Sequence, residues 1–231
     1  MTTVLETIRG KLIASCQAAP SSPFHDPGAM RTMVEAVRVG GAAAVRVESI
    51  IHVRAMRDSG LPVIGLVKRQ STGTDVYITP TVADVRDLVA AGASIVAADG
   101  TMRPREGGLD FRQLVRAAHE VGAVLMADVD SVEAGVYAAG CGADLVSTTL
   151  SGYTLLSGAV PDEPDIALVE SLVRALGIPV IAEGRYATAS DVERAMRAGA
   201  HSVVVGTAIS DPVRLTARFA DAVSRGQERV G

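Results

Sequence analysis

The stretch G-I-P-V-I-A-E-G-R, Gly177 to Arg185, carries the plan on which the whole chain is built. A glycine turn and a proline lead into an apolar run, V-I-A, which stops abruptly at Glu183 with Gly184-Arg185 behind it. A short apolar run without polar alternation suits a strand buried on both faces, as in a parallel sheet covered by helices. The same plan recurs in both directions at intervals of roughly 25–30 residues. The runs are Leu12–Gln17, Ala43–Val47, Pro62–Lys68, Ser94–Asp99, Val124–Asp128, Leu145–Thr149, Pro179–Glu183 and Ser202–Gly206.

Between the runs, apolar residues fall at helical spacing in Gly28–Val39, Val82–Ala91, Asp110–Val121, Val132–Ala139, Ile166–Leu176, Ser190–Ala198 and Pro212–Val223. Ser190-Asp191 offers an N-cap, and Pro212 suits a first turn. Gly60, Gly92, Gly122, Gly142, Gly177 and Gly199 stand where helices should end in a left-handed residue. V-Y-I-T-P (Val76–Pro80) is expected to add a small strand after the third run. Eight β/α units predict a closed (β/α)8 barrel, a TIM barrel, forming one domain over residues 1–231 with a short N-terminal helix. An open doubly wound sheet is the alternative, but no G-x-G-x-x-G follows the first strand.

Composition narrows the function. Lys and Arg total 22 against 26 acidic residues, a net charge of -4, and aromatics make up 3%. Such a balance argues against nucleic acid as a partner. No apolar run approaches the ~20 residues that cross a bilayer, and the start lacks a signal pattern, so no membrane partner and a cytoplasmic location are expected. Cys16 and Cys141 are read as two reduced thiols. Lysine occurs only at positions 11 and 68, and asparagine is absent. A lysine kept in an arginine-rich chain points to chemistry in which a proton must be lost.

In barrels of this kind the catalytic groups sit at the carboxyl ends of the strands. Here those ends read Gln17, Arg46 with Glu48, Lys68-Arg69, Asp99, Asp128 with Asp130, Thr148-Thr149, Glu183-Gly184-Arg185 and Gly206-Thr207. Asp130 is read as a cap of the following helix. Asp99, Asp128 and Glu183 together need cations. Mg²⁺ could serve, but Arg46, Lys68 and Arg185 at the same mouth are favoured, so no metal is expected. Lys68 is the expected base, kept neutral by burial and by Arg69 or Arg46. Its structural alternative is a salt bridge to Glu183 or Asp99. His52, His119 and His201 are assigned to packing or surface, while His25 lies within reach of the mouth. The turns after strands seven and eight suit a phosphate, and without a Walker loop that points to a phosphorylated metabolite.

Several strings together resemble the bacterial N-acetylmannosamine-6-phosphate 2-epimerase family. They are S-C-Q-A (Ser15–Ala18), V-I-G-L-V-K-R (Val63–Arg69), Y-I-T-P-T (Tyr77–Thr81), R-P-R (Arg103–Arg105), L-M-A-D (Leu125–Asp128), T-T-L-S-G-Y-T (Thr148–Thr154), V-I-A-E-G-R (Val180–Arg185) and V-V-V-G (Val203–Gly206). The similarity runs from about Leu12 to Val223. It implies a (β/α)8 barrel that epimerises carbon two of a phosphorylated amino sugar in sialic acid catabolism, with no cofactor, as a homodimer. It further implies Lys68 and Glu183 as the catalytic pair. Gln17, Arg46 and Asp128 would bind substrate, and Gly184, Arg185, Gly206 and Thr207 would lie at the phosphate. Two places depart from the family pattern: Val47-Glu48 replaces Ala-Asn, and Asp211 replaces a basic residue. Other readings are a different phosphosugar isomerase or aldolase on the same barrel, or a catalytically silent sugar-phosphate-binding protein.

Overall fold

The computed structural model describes residues 3–155 and 162–228. Among these, eight parallel strands close into a barrel in sequence order, with β1 hydrogen-bonded to β8. The strands are β1 (Leu12–Cys16), β2 (Ala44–Glu48), β3 (Val63–Leu66), β4 (Ile95–Asp99), β5 (Val124–Asp128), β6 (Leu145–Ser147), β7 (Val180–Glu183) and β8 (Ser202–Val205). The helices are α1 (Val4–Ile8), α2 (Pro27–Val39), α3 (Ile50–Ala55), α4 (Val82–Ala91), α5 (Phe111–Glu120), α6 (Val132–Gly140), α7 (Ile166–Ala175), α8 (Ala189–Arg197), α9 (Thr207–Ser210) and α10 (Pro212–Glu228).

The period of two along each strand divides the residues between two cores. Ile13, Ala44, Ile64, Ile95, Met126, Leu145, Ile181 and Val204 point inward and fill the barrel. Val45, Val47, Val96, Leu125, Val146 and Val203 point outward and pack under helix residues such as Val34, Leu88, Leu114 and Leu172. Gly65 marks a close approach in this layer: a Cβ there would lie 2.9 Å from Ala93 Cβ and 3.0 Å from Val53 Cγ2. Helix α1 closes the bottom of the barrel. Its Ile8 is fully buried with the inner core, and Leu5 O accepts from His201 Nε2 at 2.9 Å.

Several expectations shift. Helix α3 follows β2, where none was expected. Thr188 rather than Ser190-Asp191 caps α8, with Asp191 completing the capping box. Ser131 caps α6, while Asp130 instead accepts from Ser131 Oγ and from Thr154 Oγ1 at 2.5 Å. Gly60, Gly92, Gly122, Gly142 and Gly199 are left-handed as expected; Gly177 is not, because α7 ends on extended Leu176. The expected extra strand is a single antiparallel bridge, Lys68 to Ile78, which folds the segment after β3 back over the mouth.

Candidate active site

Continuing the inward period of two past the apolar layers brings the polar residues to one end of the barrel. Ser15 and Arg46 are register partners on β1 and β2, as are Asp128 and Ser147 on β5 and β6. Glu183 closes the same layer from β7. Above it opens a cavity of about 650 Å³, lined by Gln17, Arg46, Glu48, Lys68, Tyr77, Thr149, Glu183 and the turns after β7 and β8, among others. Lys68 and Glu183 therefore face one space, as the sequence predicts.

Arg46 forms the floor. Its side chain is 1% exposed. Nη1 donates to Asp128 Oδ1 at 3.0 Å and to Glu183 Oε2 at 2.8 Å, and Nη2 donates to Asp128 Oδ2 at 2.6 Å. Burial alone would weaken its hold on a proton, but the Asp128 and Glu183 charges more than reverse that, so Arg46 stays a fixed cation. Asp128 is fully buried, and its bidentate grip acts on the site through Arg46. Glu183 differs: burial pushes its carboxyl up, Arg46 pulls it back, and the Asp128 charge pushes it up again. The net displacement is upward, which suits a group that gives and takes protons.

Lys68 stands in different surroundings from those expected. Its side chain is 41% exposed; Nζ donates to Gln17 Oε1 at 2.7 Å and lies 3.4 Å from Glu48 Oε2. Arg69 turns outward to Asp84 and Glu106, each at 2.9 Å. Lys68 is therefore neither buried nor set beside Arg69, and its ion-pair partner is Glu48 rather than Glu183 or Asp99. Gln17 in turn donates to Ser15 Oγ at 2.9 Å, which fixes the amide that holds the lysine.

The neutralising cations are also redistributed. Asp99 is fully buried and paired with Arg103 and Arg105 from the loop that follows it. Arg185 does not meet a carboxylate at the mouth. It lies in the left-handed region, as does Gly184 before it, with φ of 63° and 110°. Its guanidinium donates to Ser151 O at 2.6 Å and Glu163 O at 2.8 Å, and stacks 5.6 Å from the Tyr153 ring centre. This sharp turn exposes the end of β7 to the cavity. After β8, the neighbour of β7 in the barrel, the short helix α9 follows Gly206 and opens at Thr207 beside the same cavity. Asp211 Oδ1 caps α10 by accepting from Arg214 N at 3.0 Å, and the Arg214 side chain reaches the cavity rim.

Sequence reasoning gave no role in the site to four contributors, although it placed Glu48 and Thr149 at strand ends. Tyr77 reaches the cavity because the Lys68–Ile78 bridge folds its loop inward. Thr149 bridges Asp128 and Glu183. Glu48, read as a strand-end residue and as a departure from the family pattern, pairs with Lys68. His52, assigned to packing, is buried yet lines the cavity beside His25, with ring centres 5.3 Å apart. Inward periodicity could have found Glu48 and Thr149, each two residues beyond an inward position; the other two depend on loop geometry.

A closed barrel with a lysine and a buried glutamate facing one cavity at the carboxyl ends of its strands defines an enzyme of the (β/α)8-barrel class. Residues 30–225 match the NanE family, described as "Putative N-acetylmannosamine-6-phosphate epimerase". Proteins called "Putative N-acetylmannosamine-6-phosphate 2-epimerase" include one from Clostridioides difficile, 41% identical over 95% of this chain and 99% of that protein. Another, from Cutibacterium acnes, is 45% identical over 95% and 96%. A solved structure of the N-acetylmannosamine-6-phosphate 2-epimerase from Clostridium perfringens superposes with a TM-score of 0.91 at 38% identity, covering 96% of both chains. Thiamine phosphate pyrophosphorylase from Pyrococcus furiosus, at 15% identity and a TM-score of 0.61, shares the fold alone. The chain belongs to the N-acetylmannosamine-6-phosphate 2-epimerase family.

Proposed function

We propose that this enzyme interconverts N-acetylmannosamine 6-phosphate and N-acetylglucosamine 6-phosphate by removing and returning the proton at carbon two, as a step of sialic acid catabolism. The observation that carries this reading is the cavity itself, which sets Lys68 and Glu183 into one space above the Arg46 floor. Inversion at carbon two needs the ring opened to its aldehyde, so that the carbon-two proton lies next to a carbonyl. Glu183, with its upward-displaced carboxyl, handles protons on the ring and anomeric oxygens. Lys68, held at the cavity wall by Gln17 and Glu48, exchanges the carbon-two proton. The fixed charge of Arg46 favours the enolate that forms between the two transfers. No cofactor and no metal has a part in this scheme.

The phosphate goes to the turns after β7 and β8, Gly184-Arg185 and Gly206-Thr207, where barrels commonly hold one beside a short extra helix. Asp211, at the position where the family pattern is basic, is engaged as a helix cap, and Arg214 supplies a cation at the same rim. A cytoplasmic location fits the two buried free thiols, Cys16 and Cys141. Among the described residues no helix is long and apolar enough to cross a membrane. A homodimer fits α10, whose Phe219 and Val223 stand 70% and 63% exposed on a helix lying largely in solvent; sedimentation equilibrium measures it.

The test is an assay with N-acetylmannosamine 6-phosphate and with the unphosphorylated sugar, run in D₂O. The phosphorylated sugar should turn over much faster and acquire deuterium at carbon two. Lys68→Ala and Lys68→Arg should each lose about 10²–10⁴-fold, since guanidinium keeps its proton. A Lys68→Arg variant that keeps most of its activity would reduce Lys68 to an electrostatic anchor.

A further inference from the structure

The floor of the cavity contains one hydroxyl with more acceptors than protons. Thr149 stands in the turn that follows β6. Its Oγ1 lies 2.8 Å from Asp128 Oδ1, 3.0 Å from Glu183 Oε2 and 2.8 Å from Ser147 Oγ, and accepts a long contact from Arg46 Nη1 at 3.4 Å. A hydroxyl has one proton to give and two lone pairs. It therefore serves one of these oxygens at a time and can accept from another.

The two carboxylates are not equal partners. Asp128 holds two guanidinium N–H bonds from Arg46, Glu183 only one. Glu183 is also the carboxyl that burial displaces upward. Its state of protonation is therefore the variable one. The neighbouring Thr148 already does the structural work at this point. Its Oγ1 donates to Glu183 O at 2.7 Å and accepts from Glu183 N at 3.0 Å, tying β6 to β7. The backbone thus needs nothing from the Thr149 hydroxyl, which is aimed at side-chain oxygens instead.

We propose that Thr149 is a positioning residue for Glu183. Its hydroxyl donates to Glu183 when that carboxylate is ionised; turned towards Asp128, it accepts the Glu183 proton when the carboxyl is neutral. No bond within Thr149 breaks in this exchange. The proton passed to and from the substrate belongs to Glu183 throughout, and the Thr149 O–H only rotates. Both states of the glutamate keep a partner at Oε2, so neither costs a stranded buried polar group.

The other charged groups near Glu183 are committed elsewhere or constant. Arg46 from β2 is a fixed cation, and Asp128 from β5 is bound to it. Lys68 faces Gln17 and Glu48, and Arg185 faces Ser151 O. Tyr77 lies close enough to feel the charges of Asp128 and Arg46. Ser147 Oγ, 3.3 Å from Glu183 Oε2, is a second hydroxyl donor to the same oxygen.

The proposal rests on the reading of Glu183 as a proton-carrying group, and its test has one arm that needs no substrate. In that arm, infrared difference spectra of wild type, Thr149→Val and Thr149→Ser, each against Glu183→Gln, follow the Glu183 carboxyl stretch through a pH titration. Loss of a donor to the ionised carboxylate should move the Thr149→Val titration up by about one pH unit, with Thr149→Ser at the wild-type position. In the second arm, kcat for the 6-phosphate should fall about tenfold or more in Thr149→Val while KM changes little, and Thr149→Ser should restore it. Thr149→Ala carries the same expectation should the extra methyl crowd Ser147. A Glu183 titration unmoved in both Thr149→Val and Thr149→Ala overturns the proposal, as does a Thr149→Ser variant no better than Thr149→Val. A wild-type protein inactive on the 6-phosphate sinks the substrate reading and leaves the infrared arm to decide on Thr149.

Discussion

Asp99 and Asp128 are register partners on neighbouring strands, both fully buried and both held by arginine, yet they serve different ends. Asp99 is one carboxylate shared by two guanidinium groups, Arg103 and Arg105, which come from the loop directly after it. Thr101 adds its N–H at 2.9 Å and its hydroxyl at 2.6 Å. Asp128 is one of two carboxylates sharing a single guanidinium, Arg46, and the three groups come from β2, β5 and β7. The first cluster has a surplus of positive charge and a local origin, so it ties a loop to its strand. The second has a surplus of negative charge and is assembled across the barrel, so one of its carboxyls is left open to protons. The ratio of carboxylates to arginines, rather than burial, separates the structural cluster from the one proposed to be catalytic.

The largest expected effect tests the catalytic side. Glu183→Gln keeps the shape of the side chain but cannot carry protons, and kcat should fall about 10²–10⁴-fold with the fold intact by circular dichroism. A loss under about fivefold would remove Glu183 from the chemistry and erase the distinction drawn here. Asp99→Asn tests the structural side. It leaves Arg103 and Arg105 without their carboxylate, and breaking a buried pair in this way typically costs about 3–5 kcal/mol. Urea unfolding should report that loss, while kcat per folded molecule stays near the wild-type value. A stable Asp99→Asn enzyme with damaged kcat would reverse the assignment.

The smallest effect sharpens the comparison through pH. Because burial displaces the folded-state Glu183 upward, the folded chain binds that proton more tightly than the unfolded chain does. The resulting stability is complete below the ordinary carboxylate range and is lost as pH rises through the folded-state value. The slope across that window is at most about 1.4 kcal/mol per pH unit for a single group. Glu183→Gln should flatten it, which chemical denaturation at a series of pH values can measure; an unchanged slope would place the titrating group elsewhere.

Most of the barrel was legible because each strand advertises itself twice, by an apolar run and by the glycine or proline that punctuates it. The V-I-A-E-G-R string gave both β7 and the position of Glu183 at its end. Helix α3 escaped notice because it spans only Ile50–Ala55, too short to show a periodicity, and is entered through Ser49 at a φ of 78°. The identity of the mouth residues was also readable, since it follows from strand length and the inward period of two. Their pairing was not. Arg69 was expected to crowd Lys68, but Asp84 and Glu106, 15 and 37 residues further on, turn it outward. Asp99 was expected to need Arg46, Lys68 or Arg185, but Arg103 and Arg105 lay closer along the chain. Which cation meets which carboxylate is decided by loop paths, and one sequence carries no direct signal for those.

Helix α1 at the barrel floor has a consequence for how the chain is made. Its Leu5 carbonyl is bonded to His201, 196 residues later, and the lattice of β1 is complete only once β8 arrives. On the ribosome, the segment that seals the floor emerges long before the strand against which it seats. The nascent barrel therefore stays an open, curved sheet with a bare edge until translation is almost finished. The apolar residues of α1 and the edge of β1 thus wait for partners that emerge last, the kind of non-local pairing that slows folding and leaves a chain open to aggregation.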